Sequence, residues 1–117
     1  MNRENTIDYI EISVSDLNRT KSFFSTLFGW KFEDFGPKYC GFNDGRIDGG
    51  FSESANIAST TSGSPLLVFY RADLDTAVKA VEGAGGSIVK PVFSFPGGRR
   101  FHFTDPSGNE YAIWSEA

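Results

Sequence analysis

Apolar and polar residues alternate over residues 9–14, where Ile10, Ile12 and Val14 interleave with Tyr9, Glu11 and Ser13, the period of a strand with one buried face. The period then lengthens. Leu17, Thr20, Phe24 and Leu27 recur at helical spacing, with Phe23 and Phe28 widening the stripe; Ser15 or Asp16 stands ready to cap the start and Gly29 the end, so a helix is predicted between them. Three short strands should follow, around Trp30 to Phe35, Lys38 to Phe42 and Ile47 to Ser52, divided by Gly36-Pro37 and Asn43-Asp44-Gly45.

"SESANIASTTSGSP" has the small polar composition of a linker, and after it the plan starts again. Leu66 to Tyr70 reads as a strand. Asp73 precedes Leu74, Ala77, Val78 and Val81 at helical spacing, and Gly83, Gly85 and Gly86 stop that helix. Ser87 to Phe93, Arg100 to Thr104 and Glu110 to Ser115 read as strands, with "SFPGGR" and "TDPSGN" as their turns. In the second turn Pro106 presets φ, Gly108 tolerates a positive φ, and Asp105 and Asn109 bond back to nearby backbone. Aligning Asp16-Leu17 with Asp73-Leu74 places Gly29 on Gly86 and Tyr9 on Leu66, so the chain reads as one βαβββ module written twice. The expected layout is a single domain over residues 1–117, with module one at about 7–53, a linker at 54–65 and module two at about 66–115.

With 117 residues, 39% hydrophobic and 22% charged, the composition is that of one ordinary globular domain. No apolar run reaches the roughly 20 residues of a membrane span, and "MNRENTIDY" contains no apolar signal core, so the cytoplasm is the expected compartment and no membrane partner is expected. A net charge of −4, with Arg99-Arg100 as the one adjacent basic pair, argues against nucleic acid. One cysteine, Cys40, excludes an internal disulfide or a thiolate-cluster metal site and reads as a small core residue. Twelve phenylalanines either fill a core or line a ligand cavity.

"ISVSDLNRTKSFFSTLFGW", "ADLDTAVKAVEGAGG" and "FTDPSGNEYAIW", in that order, together resemble the vicinal-oxygen-chelate superfamily, which includes glyoxalase I, bleomycin-resistance proteins, fosfomycin-resistance enzymes and extradiol dioxygenases. The resemblance implies an α+β fold, two tandem βαβββ modules forming an open, barrel-like sheet with the helices on its outer face. It implies that Ile10, Ile12 and Val14 pack under the first helix while Tyr9, Glu11 and Ser13 face the cavity. It also implies a homodimer.

Metal-dependent members of that superfamily carry one ligand on each of four strands. Counted from the matched motifs, those positions fall on Tyr9, on Gly49 or Gly50, on Leu66 and on Ala112. A glycine, a leucine and an alanine have no side-chain donor and a neutral tyrosine is a poor one, so neither a metal nor another cofactor is expected. If Phe103 pairs with Tyr111, His102 pairs with Ala112 and faces the cavity, along with Arg100 and Trp114. Glu11 and His102 are then the candidate catalytic acid and base, conceivable as a pair, and Tyr9, Phe42, Phe51, Val68, Tyr70, Arg100 and Trp114 the candidate ligand contacts.

Each has a plainer reading. His102, the single histidine, could be a satisfied strand residue, Glu11 a solvated one, and Trp30 packing for the helix end. Arg99 and Arg100 are either solvated or clamp an anionic group of a ligand. The function expected is binding of a small aromatic or amphipathic organic molecule without a metal. An alternative is a metal-independent lyase, isomerase or epimerase using Glu11 or His102. A metal-dependent glyoxalase-type lyase or dioxygenase ranks behind both, because its ligands are missing.

Overall fold

Strand β1 (Tyr9–Val14) leads through Asp16 into helix α1 (Leu17–Phe28), and β2 (Phe32–Asp34), β3 (Tyr39–Asn43) and β4 (Asp48–Glu53) follow. The computed structural model describes residues 4–117, so Met1 to Arg3 of the "MNRENTIDY" segment lie outside the described residues. The chain divides into two compact units, Met1–Ile57 and Ala58–Ala117.

In the first unit the sheet order is β1-β4-β3-β2, with β1 parallel to β4 and the other neighbours antiparallel. Helix α1 starts where the Asp16 side chain accepts the Arg19 N–H, and it ends at Gly29, whose φ of 74° suits a residue without Cβ. Its stripe of Leu17, Thr20, Phe23, Phe24 and Leu27 is buried. Phe24 stacks on Phe51 at 5.2 Å and on Trp30 at 5.0 Å, and Trp30 stacks on Phe42 at 4.5 Å. Burying each such ring contributes on the order of 1.5–3 kcal/mol, so this aromatic cluster is what holds α1 on its face of the sheet.

The second unit repeats the plan with β5 (Leu67–Tyr70), α2 (Leu74–Ala84), β6 (Ser87–Phe95), β7 (Gly98–Thr104) and β8 (Glu110–Ser115), in the order β5-β8-β7-β6. Asp73 caps α2 by accepting from Thr76 N–H. Leu74, Ala77 and Val81 are buried, as are Phe101, Phe103, Tyr111 and Ile113. Phe103 pairs with Tyr111 and His102 with Ala112, the register the sequence implies. The fold is α+β: two four-stranded mixed sheets, each open and each with one helix. Among the described residues no helix is long and apolar enough to cross a membrane.

Some boundaries differ from those the sequence suggests. Strand β6 runs on through Phe95 because Phe95 pairs with Gly98, leaving Pro96-Gly97 as the hairpin loop, with Gly97 at φ 116°. The pairing shifts register between Ile88 and Phe93, and Pro91 is tolerated there because β6 is an edge strand and proline has no N–H to donate. Gly83 stays within α2, which ends instead at Gly85. Leu66 precedes β5.

The polar stretch between β4 and β5 is not featureless. Ala58 N–H donates to Asn109 Oδ1 at 2.8 Å and Glu110 N–H donates to the Ala58 carbonyl at 2.9 Å, before a 3-10 turn at Thr60–Ser62. A strap over residues 58–60 is thus fastened to the start of β8.

Candidate functional site

The face of each sheet turned away from its helix collects the polar groups. On the first sheet Tyr9 and Glu11 share a face with Tyr39, Gly41 and Gly50 by strand parity and register. The hydroxyls of Tyr9 and Tyr39 form a short hydrogen bond. Burial, and hydrogen bonds with Tyr9 and Glu11, push the Tyr39 hydroxyl well above its ordinary pKa. A Cβ on Gly50 would overlap both tyrosine hydroxyls, so glycine at that position is what admits the pair. Beside them lies a cleft of about 420 Å³ lined by Tyr9, Lys31, Phe32, Phe35, Gly41 and Asp48. Phe35 is 57% exposed at this cleft.

On the second sheet, Val68, Arg100, His102, Ala112 and Trp114 share the helix-free face, with Tyr70 beside Trp114. His102 is 2% exposed, and its Nδ1 lies 2.8 Å from Glu110 Oε2. Glu110 Oε1 accepts from both the N–H and the hydroxyl of Thr60 at 2.8 Å. Burial pushes the Glu110 carboxyl up, but the hydrogen bonds from His102 and Thr60 outweigh it and hold the group at about 2. At neutral pH the carboxylate is therefore ionised and accepts Nδ1–H. The imidazole is left with Nε2 as its working atom, a lone pair when neutral and a donor when protonated.

Rings surround this dyad. Phe93 lies 5.7 Å from the His102 ring, the Arg100 guanidinium sits over Phe93 at 5.4 Å and over Phe95 at 5.6 Å, and Tyr70 meets Trp114 edge-on at 5.2 Å.

Several sequence expectations need correction. Phe51 is fully buried and stacks on Phe24 and Phe42; it pairs with Ile12 and so shares the helix face, and it cannot line a ligand surface. Phe42 borders the cleft, but its ring stacks on Trp30 and Phe51 in the core. The carboxylate bonded to His102 is Glu110 and not Glu11. Arg99, instead of meeting solvent alone, donates from Nε to the Ala117 carbonyl at 2.8 Å. Cys40, by contrast, is the buried core residue expected, and burial raises its thiol pKa.

Sequence reasoning passed over two residues. Glu110 stands two positions before Ala112 on the same strand, hence on the same face and diagonal to His102; that parity was available. Tyr39 stands two before Gly41 on the face of Gly50, but its tie to Tyr9 depends on the absent Cβ of Gly50, which no periodicity reveals.

A metal ion, implied for this fold by the resemblance, does not fit the residues present. At the four expected positions Ala112 is a buried methyl group, Leu66 has no donor, Gly49 and Gly50 have their Cβ directions filled by the Phe42 ring and by tyrosine hydroxyls, and Tyr9 is bonded to Tyr39. Among the described residues no three His, Cys, Asp or Glu side chains gather into a metal-holding group.

The family model for the Glyoxalase/Bleomycin resistance protein/Dioxygenase superfamily matches residues 6–113. A curated relative, "Putative glyoxylase CFP32" of Mycobacterium bovis, is 28% identical over 96% of this chain. The chain spans about half the length of that relative, 46%. Among solved structures, a glyoxalase-related enzyme from Fulvimarina pelagi superposes with a TM-score of 0.79 at 17% identity, covering 95% of this chain and 88% of that one. A variant of the fosfomycin resistance protein FosX from Listeria monocytogenes, complexed with Mn(II) and 1S,2S-dihydroxypropylphosphonic acid, gives a TM-score of 0.79 at 18% identity, covering 97% of this chain and 91% of that one. At such identities the structures speak to the fold alone.

Proposed function

The chain belongs to the Glyoxalase/Bleomycin resistance protein/Dioxygenase superfamily, and from that premise we propose that it binds a small aromatic or amphipathic organic molecule on its ring-lined, helix-free sheet faces without a metal ion. The observation that carries the reading is the side-chain chemistry at the four positions where metal-dependent members hold ligands. Ala112 and Gly50 offer no donor, and the space beside Gly50 belongs to two tyrosine hydroxyls. What remains on those faces is apolar surface with a few fixed polar groups, the usual make-up of an organic-ligand site. Val68 and Tyr70, 44% and 52% exposed, belong to that surface.

The test is a thermal-shift screen of aromatic and amphipathic compounds on protein dialysed against chelator. Stabilisation by a compound class in chelator supports the reading. Stoichiometric Zn, Mn, Ni or Fe resisting the chelator, with binding lost once it is stripped, overturns it.

A second reading, a metal-independent enzyme working by proton transfer, is favoured by one observation: His102 is held by an ionised Glu110 at 2.8 Å, the arrangement that orients a general base. Glu11, exposed and bonded to Tyr39, is the weaker candidate. Turnover of a bound compound that disappears in His102→Ala while binding persists would select this reading over simple binding. A homodimer in the cytoplasm is carried with either reading, and light scattering at twice the 12.9 kDa chain mass is the check on the dimer.

A further inference from the structure

Among the described residues two buried side-chain nitrogens lack any hydrogen-bond partner, Arg100 Nε and His102 Nε2. Their residues sit two apart on one strand and so on one face, with Cα atoms roughly 7 Å apart along β7. A buried polar atom left without a partner is costly, and two such atoms on one face of one strand mark a place built for an acceptor.

Around them stand two cations and one carboxylate whose oxygens are both engaged. Among the described residues no carboxylate forms an ion pair with the Arg100 guanidinium. Lys90, exposed on β6, is the register partner of His102 and adds a second cation. Glu110 is the acid that faces the group, and both of its oxygens are already engaged, one by His102 and the other by Thr60. The guanidinium carbon sits over Phe93 at 5.4 Å and over Phe95 at 5.6 Å, and the Phe95 ring is 6.3 Å from that of Trp114. A cation fixed over rings, beside further rings, suits a flat molecule that ends in an anion.

We infer that the helix-free face of the second sheet is a subsite for an aromatic carboxylate, its carboxylate bridging Arg100 and His102 Nε2 and its ring lying among Phe93, Phe95 and Trp114. The inference rests on the small-molecule-binding reading above and narrows it to one ligand class. In the bound state Nε2 donates as part of an imidazolium held by Glu110, while Arg100 supplies a charge-assisted bond from Nε. Nε2 is buried, with Phe93 5.7 Å from the His102 ring, so the ligand enters by displacing the side chains that cover that nitrogen. A carboxylate meets this site better than a phosphate because a monoanion loses less hydration on entering a ring-walled pocket.

The probes are 2-naphthoate and its neutral counterpart 2-naphthamide, titrated calorimetrically into the full chain and into Arg100→Gln. The same titrations are followed on the unsubstituted protein by ¹⁵N-histidine NMR, in which His102 is the one imidazole. The expected result is that naphthoate binds and moves the Nε2 resonance, that the amide binds at least about tenfold more weakly, and that Arg100→Gln weakens naphthoate by about tenfold with less than about twofold effect on the amide. Equal binding of acid and amide, or an Nε2 resonance unmoved by saturating naphthoate, overturns the carboxylate subsite and leaves the aromatic-binding reading standing. Binding of neither probe overturns the subsite and counts against that reading as well. The NMR arm decides the matter even if Arg100→Gln fails to fold.

Discussion

At Gly50 the absence of a side chain decides what the neighbouring residues do. Gly50→Ala places a methyl group against the hydroxyls of Tyr9 and Tyr39, and overpacking of this kind should lower stability by about 1–3 kcal/mol, read as a shift in the urea midpoint. Gly41→Ala, whose Cβ would meet the flexible Phe35 ring at 3.1 Å and the Gly49 carbonyl at an ordinary 3.7 Å, should cost less. Glu110 makes a residue-scale prediction of a different kind. Its folded-state pKa of about 2 lies below the ordinary 4.5, so the ionised group's stabilisation is present in full above pH 4.5 and is lost as pH falls towards 2. Glu110→Gln should therefore be less stable than the parent at pH 7, and the gap should close between pH 4.5 and 2. Equal urea midpoints for the two proteins across that window would contradict the dyad. Asp105 has the opposite sign. Burial raises its pKa above 3.8 despite hydrogen bonds from Tyr111 and Asn109, so its ionisation costs stability as pH rises past that value, and it cannot account for the loss expected of Glu110.

At the scale of elements, the two helices are set by the same device. Asp16 and Asp73 each accept the N–H three residues on, and a left-handed glycine ends each helix. Asp16→Ala or Asp73→Ala should each cost about 1 kcal/mol, measured by thermal or urea unfolding. Phe51→Ala, which opens a cavity under α1, should cost about 3–5 kcal/mol, where a residue that merely lined a ligand surface would cost far less. These elements were legible because their signals are local: period, caps and turn residues stand within a few positions of one another. The His102–Ala112 register was legible as well, since "TDPSGN" fixes the hairpin and the hairpin fixes the pairing. Less local features were hidden. Parity alone does not say which face of a strand lies under the helix, and so the sequence puts Phe51 on the cavity although it pairs with Ile12 and is itself fully buried. The strap at 58–60 looked like a linker because its hydrogen bonds reach Asn109 and Glu110, about fifty residues on. Thr60→Val, which removes one of the two donors to Glu110 Oε1, tests whether that strap helps hold the dyad.

For the molecule as a whole, membership of the superfamily fixes an α+β scaffold and leaves the chemistry to a few side chains. The curated relative extends well beyond the stretch matched here, with 46% of its length covered, so the site is read from this chain's own residues. Among the described residues no three His, Cys, Asp or Glu side chains gather into a metal-holding group, while a histidine-glutamate dyad, a tyrosine pair and a ring-bound arginine are present. The claim on which the rest depends is that ligand binding needs no metal. Calorimetric titration of 2-naphthoate into chelator-dialysed protein, repeated after adding Mn(II) or Zn(II), puts that claim to its most direct test. The dissociation constant should be the same within about twofold in all three conditions; binding that is absent after chelation and restored by either metal would contradict it.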